Sequence, residues 1–131
     1  MILNNKQFDE IKRLNNEVHS SRNELLQSLC EALSEHDEHE YYMYKTLEGS
    51  NAWTIIAEDT IGKDNYIKID VETFRFTNPT SFAIKTLIIW DLKESRYTFH
   101  HFDWYGNRLS RQMTRRQEQE YKRKQCNEGE Q

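Results

Sequence analysis

The stretch IKIDVETFRF at residues 67–76 decides the fold class, because its first six side chains alternate strictly between apolar and charged. A period of two is typical of a β-strand that buries one face. We therefore predict that Ile67, Ile69 and Val71 point into a hydrophobic core. Asp70, between them, is predicted to face solvent. Residues 41–105 are then the sheet-forming part of the chain.

Two aromatic residues at the end of this stretch, Phe74 and Phe76, have the opposite parity, which predicts a β-bulge or a change of packing surface. The segment 82–90 is apolar on both sides, as expected for a central strand that is covered on both faces. Strands are also predicted over three ranges bounded by turn residues: 41–46, 52–58 and 95–104. Because consecutive strands usually pair, the sequence predicts an antiparallel meander of about five strands.

Before the first glycine, Gly49, apolar residues recur at helical spacing. One seam consists of Ile11, Val18, Leu25 and Ala32. A second, neighbouring seam is less apolar because it contains the polar residues Asn15 and Arg22. Residues 5–39 therefore form either one helix about 50 Å long, at about 1.5 Å per residue, or two helices with a break near Ser20. The sequence from Ser21 to Glu24 matches a capping box, which favours the break.

A C-terminal helix is predicted over residues 109–124, with a narrow apolar stripe of Leu109, Met113 and Tyr121. The expected architecture is α+β: an N-terminal helical region, the sheet and a C-terminal helix. Residues 1–125 are predicted to form a single domain, and residues 126–131 a flexible polar tail.

The composition excludes several classes of protein. No apolar run approaches the roughly eighteen residues of a membrane span, and the first residues lack the charged and apolar parts of a signal peptide. Cys30 and Cys126 are far apart and do not suggest a disulfide framework. Cys30 lies on the apolar helical stripe, so it is predicted to be a core residue. These features predict a soluble protein of the cytoplasm, without contact to a membrane.

Charge is distributed unevenly along the chain, whose formal net charge is −4. Residues 1–40 carry four basic and nine acidic side chains, whereas residues 106–125 carry seven basic and two acidic ones. This polarity indicates either a basic ligand surface or self-complementarity. A homodimer through the N-terminal helix is one possibility, because its stripe covers more turns than one small sheet needs. The acidic total argues against general binding of nucleic acid.

The histidines form two pairs, and each pair is a candidate for metal binding. His36 and His39 are three residues apart at a helix end, while His100 and His101 are adjacent on a strand. Imidazole and carboxylate ligands suit zinc and similar metals. The His-Glu-x-x-His pattern is absent, however, and a solvated helix end explains the first pair without a metal. No catalytic or phosphate-binding motif is present either. The sequence therefore predicts no enzyme activity, no metal and no cofactor.

The most distinctive region combines aromatic residues with arginines near the C-terminus. The candidate contact residues are Trp104, Tyr105, Arg108, Arg111, Arg115 and Arg116. A helix would align Arg108, Arg111 and Arg115 along one side. Tyrosine, tryptophan and arginine dominate the energetics of protein interfaces.

We therefore expect a small, non-enzymatic intracellular binding protein that acts by stoichiometric protein–protein interaction. Inhibitors of the phage anti-defence or toxin-immunity type act in this way. Two alternatives remain. The same surface could bind a nucleotide or nucleic acid, with arginines on phosphates and aromatic rings on bases. The arginines could also belong to a solvated face without a ligand.

Overall fold

The computed structural model describes residues 3–37, 40–44, 53–58, 67–91, 94–103 and 107–129. Within these ranges the elements are α1 (Asn5–Asn15), α2 (Arg22–Glu35), β1 (Glu40–Tyr44), β2 (Trp53–Glu58), β3 (Ile67–Thr77), β4 (Thr80–Asp91), β5 (Arg96–Phe102), β6 (Arg108–Gln112) and α3 (Arg115–Gly129). All the strands belong to one antiparallel sheet and pair in chain order from β1 to β6. The predicted α+β class and meander are confirmed, with six described strands instead of about five.

The N-terminal region consists of two helices, as the predicted capping box favours. The Ser21 hydroxyl accepts a hydrogen bond from the Glu24 backbone N–H at 3.1 Å and so begins α2. A full capping box, not anticipated from the sequence, joins Asn4 and Gln7 at the start of α1. Val18 lies in the connection between the helices and is 67% exposed, so it does not extend the apolar seam.

Helices α1 and α2 cover one face of the sheet, which we call the helix face. The core between these layers contains buried helix and strand residues, among them Phe8, Ile11, Leu14, Leu25, Leu26, Leu29, Leu33, Ile55, Ile69, Val71, Ile84, Leu87 and Ile89. Each such side chain contributes about 1.5–3 kcal/mol by leaving water. This burial confirms the predicted inward face of β3.

The opposite face of the sheet, the α3 face, is covered in part by the C-terminal helix. The Tyr121 hydroxyl donates to Asp70, and Thr54 Oγ1 donates to Asp70 Oδ1 at 3.0 Å. Asp70 is only 8% exposed, so the expectation that it faces solvent is wrong. A buried carboxylate needs such partners because desolvation is costly. The expectation that β4 is covered on both faces is confirmed.

The bulge predicted before Phe74 lies between Glu72 and Thr73. Beyond it, β3 and β4 continue as a hairpin arm, residues 72–85, that is longer than its neighbours. β2 pairs with β3 only as far as Val71, and β5 pairs with β4 only from Thr86 onwards. The edge of β4 in the arm therefore has no neighbouring strand among the described residues.

The last residue of α1 and the α1–α2 connection cover this exposed edge of β4. The Asn15 side chain accepts from the Ile84 N–H at 2.8 Å and donates to the Ile84 carbonyl at 3.0 Å. The His19 carbonyl accepts from the Phe82 N–H at 3.1 Å, and the His19 N–H donates to Ser81 Oγ at 3.0 Å. Asn15 thus replaces a strand, which explains why a polar residue interrupts the apolar seam.

Candidate functional site

The predicted arginine stripe is divided because Arg108 and Arg111 lie on strand β6, not on a helix. Residues three apart on a strand point to opposite faces. The Arg108 guanidinium lies 3.8 Å from the centre of the Phe8 ring on the helix face. The Arg111 guanidinium lies 5.3 Å from the Phe99 ring on the α3 face. The expectation that a helix aligns Arg108, Arg111 and Arg115 is therefore wrong.

Arg115 and Arg116 occupy the first turn of α3, as expected for a C-terminal helix. Arg115 Nη1 is 3.5 Å from Glu118 Oε1, and Arg116 Nε is 3.6 Å from Glu120 Oε1. The two arginine side chains are 69% and 90% exposed, so these ion pairs stabilise little. Both guanidinium groups remain accessible to a ligand. The other candidate contact residues, Trp104 and Tyr105, lie outside the described residues.

A buried carboxylate holds α3 against β5. Glu118 is 3% exposed and accepts a hydrogen bond from the Tyr97 backbone N–H at 2.9 Å. Its Oε1 lies 3.3 Å from Arg96 Nε, and Arg96 Nη2 donates to the Met113 carbonyl at 2.6 Å. The helix is therefore positioned by directed polar contacts. Of the apolar stripe predicted for a helix over residues 109–124, Leu109 lies on β6 and Met113 precedes α3, so only Tyr121 is on the helix.

Aromatic contacts complete the docking of α3. The Tyr97 ring lies 5.2 Å from the Tyr121 ring and 4.7 Å from the Trp90 ring. The Lys122 ammonium lies 5.1 Å from the Trp90 ring centre, a favourable cation–π distance. Burial, followed by the charges of Asp70 and Glu118, raises the pKa of Tyr97. Tyr97 therefore stays neutral and serves as a packing residue.

A groove of about 200 Å³ runs between α3 and the strands β4 to β6. We call it the α3 groove. Its apolar floor consists of Ile88, Phe99, Met113 and Tyr121, and its polar rim of Arg111, Gln117, Glu120 and Lys124. Leu109, two residues before Arg111 on the same face of β6, is 56% exposed. An apolar floor, an exposed leucine and cationic side chains thus meet at one surface.

A second cavity, of about 90 Å³, lies beside the hairpin arm. Phe74, Phe76 and Phe102 form much of its wall, and Lys12 lies at its margin. Both cavities are smaller than the roughly 300 Å³ at which small-molecule pockets begin.

The described histidine side chains do not lie together at one site. His36 Nε2 lies 3.7 Å from Glu10 Oε1, and His39 lies outside the described residues. His100 is buried on the helix face, with Nδ1 2.8 Å from Ser110 Oγ. His101 lies on the α3 face, where its ring is parallel to that of Phe99. In the part of the chain that the structure describes, no three histidine, cysteine or acidic side chains are grouped to hold a metal.

The pKa of His100 gives the protein an expected sensitivity to acid. Burial, followed by the positive charge of Arg108, lowers this pKa from 6.5 to about 4. In the unfolded chain the His100 imidazole becomes protonated below about pH 6.5, whereas in the folded chain it stays neutral down to about pH 4. We therefore expect the free energy of unfolding to decrease as the pH is lowered from about 6.5 to about 4, by at most about 3 kcal/mol.

Replacing His100 by asparagine should remove this part of the pH dependence, because no imidazole remains to titrate. The measurement is urea denaturation at several pH values, with His101→Asn on the opposite face of β5 as the control. Identical pH profiles for the wild type and His100→Asn would contradict this assignment.

Cys30 is a core residue, as predicted. It is 8% exposed, and burial, followed by the charge of Glu31, raises the pKa of its thiol to about 11. A thiol with this pKa is almost entirely protonated near neutral pH and is therefore a poor nucleophile.

No helix among the described residues has the length and apolar character required to cross a membrane. Comparisons with protein-family models, curated proteins and solved structures found no match, so the function must be argued from the surface itself.

Proposed function

We propose that this protein is a non-enzymatic binding protein that acts by stoichiometric contact with another protein through the α3 groove. The observation that supports this proposal most strongly is that Leu109 is exposed beside Arg111 and an open groove with an apolar floor. Leucine exposed next to further apolar surface favours a protein contact, because binding removes both from water.

Arg111 supports this proposal through its packing on Phe99. Stacking on a ring restricts the side chain before any partner arrives, so less entropy is lost on binding. Gln117 Oε1 lies 3.5 Å from one of its terminal nitrogens, a weak contact that an acidic side chain could replace. Arg111 is thus suited to be an anchor residue of the interface.

The charge around the groove indicates an acidic partner. Lys124 lies on the rim, and Arg115, Arg116 and Arg123 are exposed on the same helix. Cationic clusters of this kind accelerate association with acidic surfaces. The proposal includes action in the cytoplasm, in the manner of inhibitors of the phage anti-defence or toxin-immunity type.

A homodimer through the N-terminal helices is not part of the proposal. The apolar seam that suggests such a dimer is longer than one sheet requires. Ile11, Leu25 and Ala32 from that seam are buried in the core of the same chain. Of the four residues of that seam, only Val18 is exposed.

The proposal is tested by substituting Leu109 with aspartate, which places a charge where a partner's apolar surface should lie. Affinity capture from the native host, with nuclease present and absent, should identify a protein that Leu109→Asp no longer retains. Val18→Asp is the matched control, because Val18 is also exposed but lies in the α1–α2 connection. A partner retained equally by both variants would contradict the proposed surface.

The alternative is a nucleotide or nucleic acid bound at the same surface. The parallel rings of Phe99 and His101, 6.3 Å apart on the face that carries Arg111, favour this alternative as a stacking platform. The position of Arg108 on the other face leaves fewer cations for a phosphate backbone. Capture that disappears on nuclease treatment would select this alternative.

A further inference from the structure

We propose that the outer edge of β6 binds an extended acidic segment of the partner, which adds to the sheet as a further strand. This inference rests on the proposed function and specifies the chemistry of the partner. Strand addition supplies affinity through backbone hydrogen bonds and specificity through alternate side chains.

The backbone of β6 presents hydrogen-bonding groups away from β5. The Met113 N–H donates to the Tyr97 carbonyl at 3.0 Å, and the Asp103 N–H donates to the Asn107 carbonyl at 3.1 Å. In an antiparallel pair, successive residues alternate between bonding inward and pointing outward. Because residues 107 and 113 bond inward, the odd-numbered residues between them do so too. The backbone groups of the even-numbered residues, Arg108, Ser110 and Gln112, therefore point outward.

Two other edges of the described sheet have contacts from the helical layer: the edge of β4 in the arm and the outer edge of β1. Asn15 and His19 cover the edge of β4 in the arm. At β1, the Ser34 hydroxyl accepts from the Tyr41 N–H, and α2 packs against the strand. No described segment lies in the same way along the outer edge of β6. Bare edges are sites where further strands can pair.

The side chains of β6 determine which strand can be added. Arg108 and Arg111 flank the edge on opposite faces of the sheet. A second copy of β6 would bring like charges together, which disfavours self-pairing. A segment with acidic residues three positions apart would place one carboxylate beside each arginine. Leu109 would contact an apolar side chain on the α3 face.

The size of the segment follows from β6 itself. The strand has five residues, four of which are exposed. A segment of about six residues would cover it at roughly 3.4 Å per residue. A suitable probe is a labelled, capped hexapeptide of sequence Thr-Glu-Val-Thr-Glu-Val, in which the two glutamates have the required spacing.

The decisive variant is Gln112→Pro, with Gln112→Ala as the matched control. Proline at this position removes an N–H that points outward and leaves the ladder with β5 intact. Alanine removes the same side chain and keeps the N–H. In fluorescence anisotropy titrations, we expect Gln112→Pro to weaken binding of the peptide about tenfold or more, and Gln112→Ala to change it little. Amide hydrogen exchange of β5 checks that the sheet of each variant is folded.

Several outcomes would overturn the inference. Equal affinity of the proline and alanine variants would do so, as would equal binding of a peptide with lysine in place of glutamate. Failure of the acidic peptide to bind at millimolar concentration would also overturn the inference.

The captured partner separates this inference from the proposed function. Loss of the partner in Leu109→Asp but not in Gln112→Pro would leave the groove as the site and reject strand addition. Retention by both variants would reject both. A chain that self-associates in sedimentation experiments, in a manner sensitive to Gln112→Pro, would identify a second copy as the occupant and reject an acidic partner segment.

Discussion

Asn15→Ala is expected to lower the free energy of unfolding by about 2–4 kcal/mol, one of the largest effects of any single substitution of a polar residue here. Asn15 supplies both hydrogen bonds to Ile84, a fully buried residue in the part of β4 that β5 does not reach. Its loss leaves a donor and an acceptor without partners, and an unsatisfied buried group costs more than an average hydrogen bond contributes.

Urea denaturation measures this effect, and the adjacent Asn16→Ala is the control. Asn16 is exposed and makes its capping contact through the backbone, so its substitution should cost little. Equal destabilisation by the two variants would show that Asn15 does not act as a substitute for a strand.

Glu118→Ala is expected to destabilise the protein by about 3 kcal/mol and to release α3 from the sheet. The substitution leaves the Tyr97 N–H without its acceptor and the Arg96 guanidinium without its ion pair. Because α3 forms one wall of the groove, this variant should also lose the proposed partner.

The matched control is Glu120→Ala, on the same helix and with a side chain that is 52% exposed. Its ion pair with Arg116 is a surface pair, so we expect a change within about 0.5 kcal/mol. Hydrogen exchange of the α3 amides distinguishes the two variants. Unchanged protection of α3 in Glu118→Ala would contradict the role of this carboxylate.

The sequence predicted the elements whose signals are local. The alternation of Ile67, Ile69 and Val71 identified β3, and the cap at Ser21 indicated where α2 begins. Such patterns depend on neighbours in the chain, so they can be interpreted without the fold.

The features that the sequence did not predict depend on tertiary contacts. β6 has only one apolar residue, Leu109, and it becomes a strand because it pairs with β5. Asp70 is buried because α3 packs over it, a contact with a residue far along the chain. The arginines were identified as candidates from their position next to the aromatic residues and from an expected helical spacing. Their division between two faces could be recognised only once β6 was known to be a strand.

Hydrogen exchange of the protein alone and in complex with its captured partner tests the central claim most directly. We expect new protection in β6 and α3, residues 107–124, with the strongest effect at the outward amides of Arg108, Ser110 and Gln112. Protection confined to the hairpin arm, residues 72–85, or to α1 and α2, with β6 unchanged, would contradict the account.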